Sequence, residues 1–195
     1  MSPRTPVFVI TGQSGAGKGT LIRELFQRMP DCELAVSATT RPKRPGEVDG
    51  IHYWFISNQE FDERLRADEF LEYHVFPWGQ RSGTLGSELH RIAGLGRICV
   101  LELETEGALA VKEVVPEAVT FFITAPLDEL ERRLRERATE SSGEIEERLA
   151  VARDQWRERD RFDHVIANDD LERAVDTLES IVRRELEAAG TIPQP

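Results

Sequence analysis

The chain has 195 residues, of which 39% are hydrophobic and 31% are charged, a balance typical of one ordinary globular domain rather than of a disordered chain. Asp and Glu number 36 against 25 Lys and Arg, and the resulting formal charge of −11 argues against a general nucleic-acid binder and against docking on anionic membranes. Net charge says little about a single cleft, so an anionic small-molecule substrate stays open.

The N-terminal segment before the first apolar run is too short for a signal peptide, and no stretch approaches the length of a membrane span. We therefore expect a cytoplasmic protein. Cys32 and Cys99 lie beside apolar runs, and we expect each to be a small buried hydrophobe rather than half of a disulfide. The 4 histidines are scattered, which argues against a zinc site built by the protein.

Strand and helix signals alternate in the first part of the chain. A β-branched apolar run at residues 7–10 predicts a strand buried on both faces, and apolar residues at helical spacing predict a helix over 20–29. Further predictions are a short strand at 34–38, a charged loop at 41–50, a strand at 53–56, a helix over 57–67 that opens on a capping box, and a strand at 69–76. The stretch 34–90 is dense in strand and turn signals and reads as an insertion or subdomain.

The second part repeats the alternation. Strands are predicted at 97–103, 119–124 and 164–167, and helices at 108–115, 127–137, 144–159 and 171–189. Residues 139–143 are polar and are expected to be flexible, and the tail at 190–195 is expected to be loose. Strands that alternate with helices predict a parallel sheet covered on both faces.

A glycine-rich loop, GQSGAGKGT, follows the first predicted strand and opens the first predicted helix. This is the context in which the pattern GxxxxGK[ST] holds phosphates, because glycines let successive backbone N–H groups point into one concavity at a helix N-terminus. Lys18 is expected to reach the β- and γ-phosphates. Gly19 stands where the pattern has Ser or Thr, so Thr20 is the candidate for the magnesium-side hydroxyl. The predicted ATP-binding residues of this loop are Gly12, Ser14, Gly15, Ala16, Gly17, Lys18, Gly19 and Thr20.

A proline-stiffened loop carries three cations, Arg41, Lys43 and Arg44, within four positions. Arginine forks suit the oxygens of a phosphate monoester, and Tyr53 offers a further hydroxyl donor. Composition alone gives equal weight to a solvated charged loop.

The same stretch, SATTRPKRPGEVDGIHY at 37–53, resembles the guanylate kinase signature Ser-x-Thr-Thr-Arg-x-x-Arg-x-Gly-Glu-x-x-Gly-x-x-Tyr. The similarity continues over nearly the whole chain, through Phe70-Leu71-Glu72, Gly83-Thr84, the arginine-rich stretch 133–149 and Asn168-Asp169-Asp170. The resemblance implies an α/β P-loop kinase fold, a three-layer α/β/α arrangement with a parallel core sheet, a mixed GMP-binding subdomain and a helical lid. Residues 1–195 would form one domain, with the core at about 5–36, 95–130 and 160–190, the GMP-binding region at about 37–90 and the lid at about 132–155.

The resemblance also implies an activity, the Mg²⁺- and ATP-dependent phosphorylation of GMP, and by extension of dGMP, to GDP with release of ADP. Carried over by position, the implied GMP-binding residues are Ser37, Arg41, Arg44, Tyr53, Glu72, Arg81, Ser82, Thr84 and Glu104. The implied catalytic residues are Lys18, Arg44, Arg137 and Arg148. Asn168 and Asp169 are implied near the ATP base, and Thr20 and Glu102 on the metal side, the latter through water. ATP and GMP are the implied partners, with no nucleic acid or membrane, and the oligomeric state is not predicted.

Several positions depart from the family pattern. Ser82 stands where the family has a tyrosine that donates to the substrate phosphate, and Arg81 is a candidate to compensate as a charged donor. The family Asp-x-Asp appears as Glu102-Leu103-Glu104. The neighbouring arginines Arg132, Arg133 and Arg135 are expected to form an exposed helix face paired with Glu129, Glu131 and Glu136 at helical spacing.

Two alternatives remain from the sequence. The first is a P-loop kinase with another phosphorylated acceptor, for example a ribose bisphosphate, which would not need Ser37 and Glu72 to meet a guanine edge. The second is a non-catalytic guanylate-kinase-like binding module, which the intact glycine-rich loop and the arginines Arg137 and Arg148 disfavour.

Overall fold

The computed structural model describes residues 6–76, 78–136 and 142–190. Its strands are β1 (Phe8–Gly12), β2 (Cys32–Leu34), β3 (Ala38–Thr39), β4 (Trp54–Phe55), β5 (Phe70–Val75), β6 (Arg81–Leu85), β7 (Ile98–Glu102), β8 (Val119–Thr124) and β9 (His164–Ala167). Its helices are α1 (Lys18–Arg28), α2 (Asn58–Arg66), α3 (Gly86–Gly94), α4 (Thr105–Val114), α5 (Leu127–Glu136), α6 (Ser142–Arg157) and α7 (Leu171–Ala188), with a 3₁₀ turn at Arg159–Arg161.

The central sheet has five strands in the order β2-β7-β1-β8-β9, and every pairing is parallel. Strand β1 lies in the middle, and all of its residues are buried. This confirms the predicted parallel sheet and the doubly buried first strand. Glycine-rich and polar connections therefore follow the carboxyl ends of β1 and β7 at one edge of the sheet, where parallel α/β proteins bind their ligands.

The core consists of two apolar clusters, one on each face of this sheet. Phe8 and Ile10 point to the face covered by α1, α5, α6 and α7, whereas Val7 and Val9 point to the face covered by α3 and α4. This alternation follows from the two-residue period of a strand. The arrangement is the expected three-layer α/β/α fold.

A second, mixed sheet has the order β4-β3-β6-β5. Strands β3 and β4 pair in parallel, whereas β6 pairs antiparallel with both β3 and β5. Strand β5 also packs on helix α4, which places this sheet beside the carboxyl end of β7. The strand-rich segment predicted between 34 and 90 thus forms a sheet of its own.

The prediction of one strand at 34–38 is wrong. The chain leaves the central sheet after Leu34, with a last backbone bond from Ala35 N–H to the Val100 carbonyl, and joins the second sheet at Ser37, whose carbonyl accepts from Trp54 N–H. Neither strand β6 nor helix α3 was predicted from the sequence. Strand β6 reads RSGTL and has no apolar alternation, and α3 begins and ends with glycine, so partner strands and buried contacts of Leu85 and Ile92 stabilise them instead.

The remaining boundaries agree with prediction within a few residues, and β8 and β9 coincide with it. Of the stretch predicted to be flexible at 139–143, residues 139–141 lie outside the described residues, and Ser142 begins α6. Both cysteines are free and buried, as predicted, and they lie in different clusters on opposite faces of the sheet.

Candidate nucleotide-binding site

Two open clefts lie side by side at the carboxyl edge of the central sheet. The larger has a volume of about 1120 Å³ and includes Ser37, Tyr53, Glu72 and Ser82 in its lining. The smaller, of about 950 Å³, is bounded by the glycine-rich loop and by Arg148. The clefts share a wall that includes Lys18, His74, Phe76, Glu102, Glu104 and Gln155. Ligands bound in the two clefts would therefore meet at this wall.

The loop takes its shape from glycines in the left-handed region. Gly15 has φ 86° and Gly17, which precedes α1, has φ 85°. Gly12 has φ 139°, and a Cβ built there would lie 2.0 Å from the carbonyl oxygen of Ile123, so strand β8 leaves no space for a side chain. Residues with a side chain rarely adopt such angles. The loop thus directs backbone N–H groups and the N-terminus of α1 into the smaller cleft, as an anion site requires.

Lys18 lies at the base of the loop. Its ammonium group donates to the carbonyl oxygens of Gly12 at 2.9 Å and Gln13 at 3.4 Å. Burial lowers the pKa of Lys18, an effect that the nearby carboxylates of Glu104 and Glu102 oppose. The ammonium group of Lys18 is therefore held at the wall that the two clefts share.

Helix α6 contacts the loop through two polar side chains. The guanidinium of Arg148 donates to Ser14 Oγ at 3.3 Å, which places its charge over the smaller cleft. Gln155 accepts from Ser14 N–H at 2.8 Å and donates to Glu104 at 3.2 Å. Arg148 was a predicted site residue, whereas Gln155 was missed because nothing in the helical pattern distinguishes it from other polar residues of α6.

Asn168 and Arg133 hold the loop from the side of β9. The Asn168 side chain is buried and donates to the Ala16 carbonyl at 2.7 Å. Arg133 donates to the carbonyl of Asn168 at 2.8 Å and to that of Ala16 at 3.3 Å, besides pairing with Glu129. The expectation that Arg133 belongs to an exposed helix face is therefore wrong, because its guanidinium reaches the loop. Arg132 and Arg135 do pair with Glu129 and Glu131 on the helix surface, as expected.

Glu72 projects into the larger cleft from β5. Its carboxylate accepts from the Thr84 hydroxyl at 2.8 Å and faces Gly107 of α4, where an added Cβ would lie 3.0 Å from Glu72 Oε2. Burial raises the pKa of Glu72, while the bonds from Thr84 partly oppose the shift. Thr84 is itself buried beneath the carboxylate, so it orients Glu72 rather than lining the cleft.

Arg41 forms a two-pronged ion pair with Glu47, with distances of 2.7 and 2.9 Å, and lies 5.2 Å from the centre of the Tyr53 ring. Glu47 also accepts from the backbone N–H of Arg44 at 2.7 Å. The bonds from Arg41 and then from Arg44 lower the pKa of Glu47 to about 2. The loop predicted as an anion site is thus folded around Glu47, and the side chain of Arg44 is exposed.

Ser82 and Arg81 point in different directions. The Ser82 hydroxyl donates to the Ala38 carbonyl at 3.0 Å and lines the larger cleft. Arg81 instead turns toward α2, where it pairs with Asp62, donates to the Asn58 carbonyl at 2.7 Å and lies over the Phe61 ring. The structure therefore does not bring Arg81 to the cleft as a substitute for the family tyrosine.

The carboxylates Glu102 and Glu104 lie in the shared wall next to Lys18. Burial raises the pKa of Glu102, and the charge of Lys18 opposes that shift. Within the described residues no three or more His, Cys, Asp or Glu side chains come together as a metal cage. The donors present, these carboxylates and Thr20 in the smaller cleft, fit a hydrated Mg²⁺ held largely by nucleotide phosphates, since this ion usually keeps several waters.

Two predicted residues remain to be accounted for, Arg137 and Asp169. Arg137 falls outside the described residues. Asp169 is exposed and pairs with Arg173 at 2.6 Å, so in this structure it is engaged on the surface of α7.

Comparison with known proteins places this geometry in a family. The family model described as guanylate kinase matches residues 4–185. A guanylate kinase from Symbiobacterium thermophilum is 42% identical over 184 residues, covering 94% of this chain and 87% of that protein. The chain belongs to the guanylate kinase family. Guanylate kinases are nucleoside monophosphate kinases, so the chain is an enzyme that transfers a phosphoryl group between nucleotides.

Other relatives agree. The guanylate kinase of Rubrobacter xylanophilus is 44% identical over 186 residues, covering 93% of this chain and 95% of that protein. The crystal structure of guanylate kinase from Anaplasma phagocytophilum superposes with a TM-score of 0.69 at 25% identity, covering 97% of each chain. A shikimate kinase from Bacteroides thetaiotaomicron, at 15% identity and a TM-score of 0.51, shares the fold over 92% of this chain and 99% of that chain. In the described part of this chain, no helix is long and apolar enough to cross a membrane.

Proposed function

We propose that the protein transfers the γ-phosphoryl group of ATP to GMP, and also to dGMP, giving GDP and ADP. The observation that carries this proposal is the half-buried Glu72 carboxylate in the larger cleft, on the far side of the shared wall from the phosphate-binding loop. A carboxylate accepts two N–H bonds from the guanine N1 and N2 positions. Adenine would cover the carboxylate without supplying those two bonds, which is costly and discriminates between the bases.

The larger cleft is the proposed GMP site. Glu72, held by Thr84, would read the guanine edge together with Ser37, while Glu104 lies beyond them on the wall. Tyr53, with Arg41 packed beside it, would meet the phosphate. Arg44 is exposed on the same loop and would contribute a second guanidinium to the phosphate. The cation–carboxylate pair of Arg41 and Glu47 supports this by holding the loop in one conformation.

The smaller cleft is the proposed ATP site. Backbone N–H groups of the loop, Lys18 and Arg148 would bind the phosphates, with Asn168 and Arg133 holding the loop from behind. Transfer between two phosphates needs alignment and cations more than a strong base. Mg²⁺ bound with ATP would neutralise phosphate charge during the transfer. Glu102 and Thr20 are the residues proposed to face its water shell.

The regions that carry these roles are proposed to be a core at about 5–36, 95–130 and 160–190, a GMP-binding region at about 37–90 and a lid at about 132–155. Arg137, predicted to act from the lid, remains part of the proposal from the sequence alone. Helix α6 supports the lid assignment because it contacts the loop through Arg148 and Gln155.

A coupled assay of ADP release tests the proposal. GMP, dGMP, AMP, UMP, CMP and ribose phosphates are compared as acceptors at one ATP concentration. We expect GMP and dGMP to be preferred over AMP by at least about a hundredfold in kcat/KM, given the cost of covering the Glu72 carboxylate without the two guanine N–H bonds. Equal rates with GMP and AMP would contradict the proposed acceptor.

Glu72→Gln separates GMP from other acceptors. The amide cannot accept both guanine N–H groups, so kcat/KM for GMP falls while ATP binding is unchanged. A variant that keeps full GMP activity would contradict the role of Glu72 in reading the guanine edge.

A further inference from the structure

His74 occupies the junction of the two clefts. It lies on β5, is exposed, and lines both the larger and the smaller cleft. The loop on one side of this junction defines where the γ-phosphate of ATP lies. The acceptor phosphate must approach that position in line, so it also lies at the junction.

The strand register places His74 directly opposite Ser82 on β6. Directly opposed residues of an antiparallel pair project from the same face of the sheet, with their Cβ atoms close together. The Ser82 hydroxyl already donates a hydrogen bond to the Ala38 carbonyl at 3.0 Å. This part of the cleft therefore has a short, engaged hydroxyl at one position and an imidazole at the neighbouring one.

The imidazole of His74 is held by aromatic contacts. Its ring meets the edge of Phe76 with 4.7 Å between centroids, and Phe76 stacks on Trp78 at 5.1 Å. Within the described residues the ring nitrogens of His74 make no hydrogen bond to protein. The ring is thus positioned by packing, and its nitrogens stay available to a ligand in the clefts that His74 lines.

The charges around His74 come from each neighbouring element. Glu72 lies on the same strand, and the cleft walls add Lys18, Glu102, Glu104, Arg148 and Asp154. A phosphate placed between Lys18 and His74 would receive donors from both sides, and the adjacent carboxylates would repel it from other positions.

We propose that the His74 imidazole donates a hydrogen bond to the phosphate of the acceptor nucleotide, beside Ser82, and so acts as a substrate-binding residue at the junction. The inference rests on the proposed function, in which the larger cleft binds GMP. Of the paired strands β5 and β6, it is then β5 that supplies the side-chain donor to the acceptor phosphate.

Three variants test the role of the imidazole. His74→Ala removes the ring, His74→Phe keeps a ring against Phe76 without N–H, and His74→Gln keeps a donor. Binding of GMP and of guanosine is measured by calorimetry. We expect Ala and Phe to weaken GMP binding about tenfold or more, because hydrogen bonds to charged groups are the strong ones, and to leave guanosine unchanged. His74→Gln should retain most of the GMP affinity.

Other outcomes overturn the inference. Wild-type GMP affinity in His74→Phe would show that only the ring contact counts. An equal loss for GMP and guanosine would assign His74 to the base or to the fold rather than to the phosphate. Thermal unfolding of each variant checks that the exposed position leaves the fold intact.

A double-mutant cycle with Ser82→Tyr adds an independent readout. The tyrosine hydroxyl would reach the same phosphate, so His74→Phe should cost less than about threefold in the Ser82→Tyr background, since residues that share a partner are not additive. Full additivity would contradict a shared phosphate. If wild-type protein binds GMP no better than AMP, the proposed function fails; if it prefers GMP and the His74 variants match it, only this inference fails.

Discussion

The carboxyl group of Glu72 is half-buried between Thr84 and Gly107, surroundings that favour its neutral form, yet reading guanine requires the ionised form. Replacement of Glu72 by Gln should therefore improve stability and damage recognition. At pH 7 we expect a higher urea midpoint for Glu72→Gln than for wild type, together with at least about tenfold weaker GMP binding by calorimetry.

The pH dependence fixes the sign of the stability effect. Because the pKa of Glu72 is raised in the folded state, its contribution is most favourable below the unfolded pKa and is lost as pH rises through the folded pKa. The difference in urea midpoint between Glu72→Gln and wild type should therefore be present at pH 7 and disappear below about pH 4, where an ordinary Glu is protonated. Glu69→Gln is the control, since Glu69 is half exposed and pairs with Arg64. A urea midpoint of Glu72→Gln below that of wild type at pH 7 would contradict the inference that burial destabilises the ionised Glu72.

Single residues were predictable from sequence where a fixed backbone pattern surrounds them. Lys18 follows glycines whose spacing is typical of a phosphate-binding loop, and the structure places Lys18 between the two clefts. Arg133 was misplaced because four arginines at helical spacing look alike until the direction of the helix relative to the loop is known. Gln155 was missed for the same reason.

Among the elements, β1 ends on Gly12 and the first turn of α1 holds Gly19, two glycines of opposite steric demand. Gly12 approaches Ile123 so closely that any Cβ collides with backbone, whereas Gly19, inside α1, has nothing within 4 Å of such a Cβ. We expect Gly12→Ala to lose several kcal/mol of unfolding free energy or to fail to fold, and Gly19→Ala to gain up to about 1 kcal/mol from helix propensity. Urea unfolding of the ligand-free protein measures both. Equal effects of the two substitutions would contradict the close approach of β1 and β8.

One arginine of helix α5 contacts the glycine-rich loop, and another forms an ion pair within the helix. Arg133 bonds to the Ala16 and Asn168 carbonyls, whereas Arg135 pairs with Glu131 and is 61% exposed. We expect Arg133→Ala to raise the KM for ATP or lower kcat by about tenfold or more, because the loop loses charge-assisted bonds. Arg135→Ala, the matched control, should stay within about twofold of wild type. Similar kinetics for both variants would contradict a role of Arg133 in holding the loop.

Elements with strong apolar patterns were predicted well, and those that depend on a partner were not. Strand β8 reads VTFFIT and was located from its own residues. Strand β6 reads RSGTL, and its extended form depends on backbone bonds to β3 and β5 that no local pattern shows. Tertiary context decides such segments.

At the scale of the whole molecule, the two thiols report on global opening. Cys32 and Cys99 lie on opposite faces of the central sheet, and burial raises the pKa of Cys32 to about 11 and that of Cys99 to about 12. At pH 8 a thiol reagent should modify the native protein only as fast as the fold opens, and ATP with GMP should slow the reaction further. Both thiols should react at once in denaturant. A rapid phase in the native protein would contradict the burial of the sheet.

The position of β1 has a consequence for synthesis of the chain. Within the described fold this strand pairs only with β7 and β8, whose residues begin at Ile98 and Val119. Translation proceeds at about 5–20 residues per second, so the apolar Phe8–Gly12 segment is made on the order of ten seconds before its first partner. During that interval it is an unpaired, extended apolar segment, the kind of surface that chaperones shield. The strand that ends in the phosphate-binding loop is thus made well before either of the two strands that pair with it.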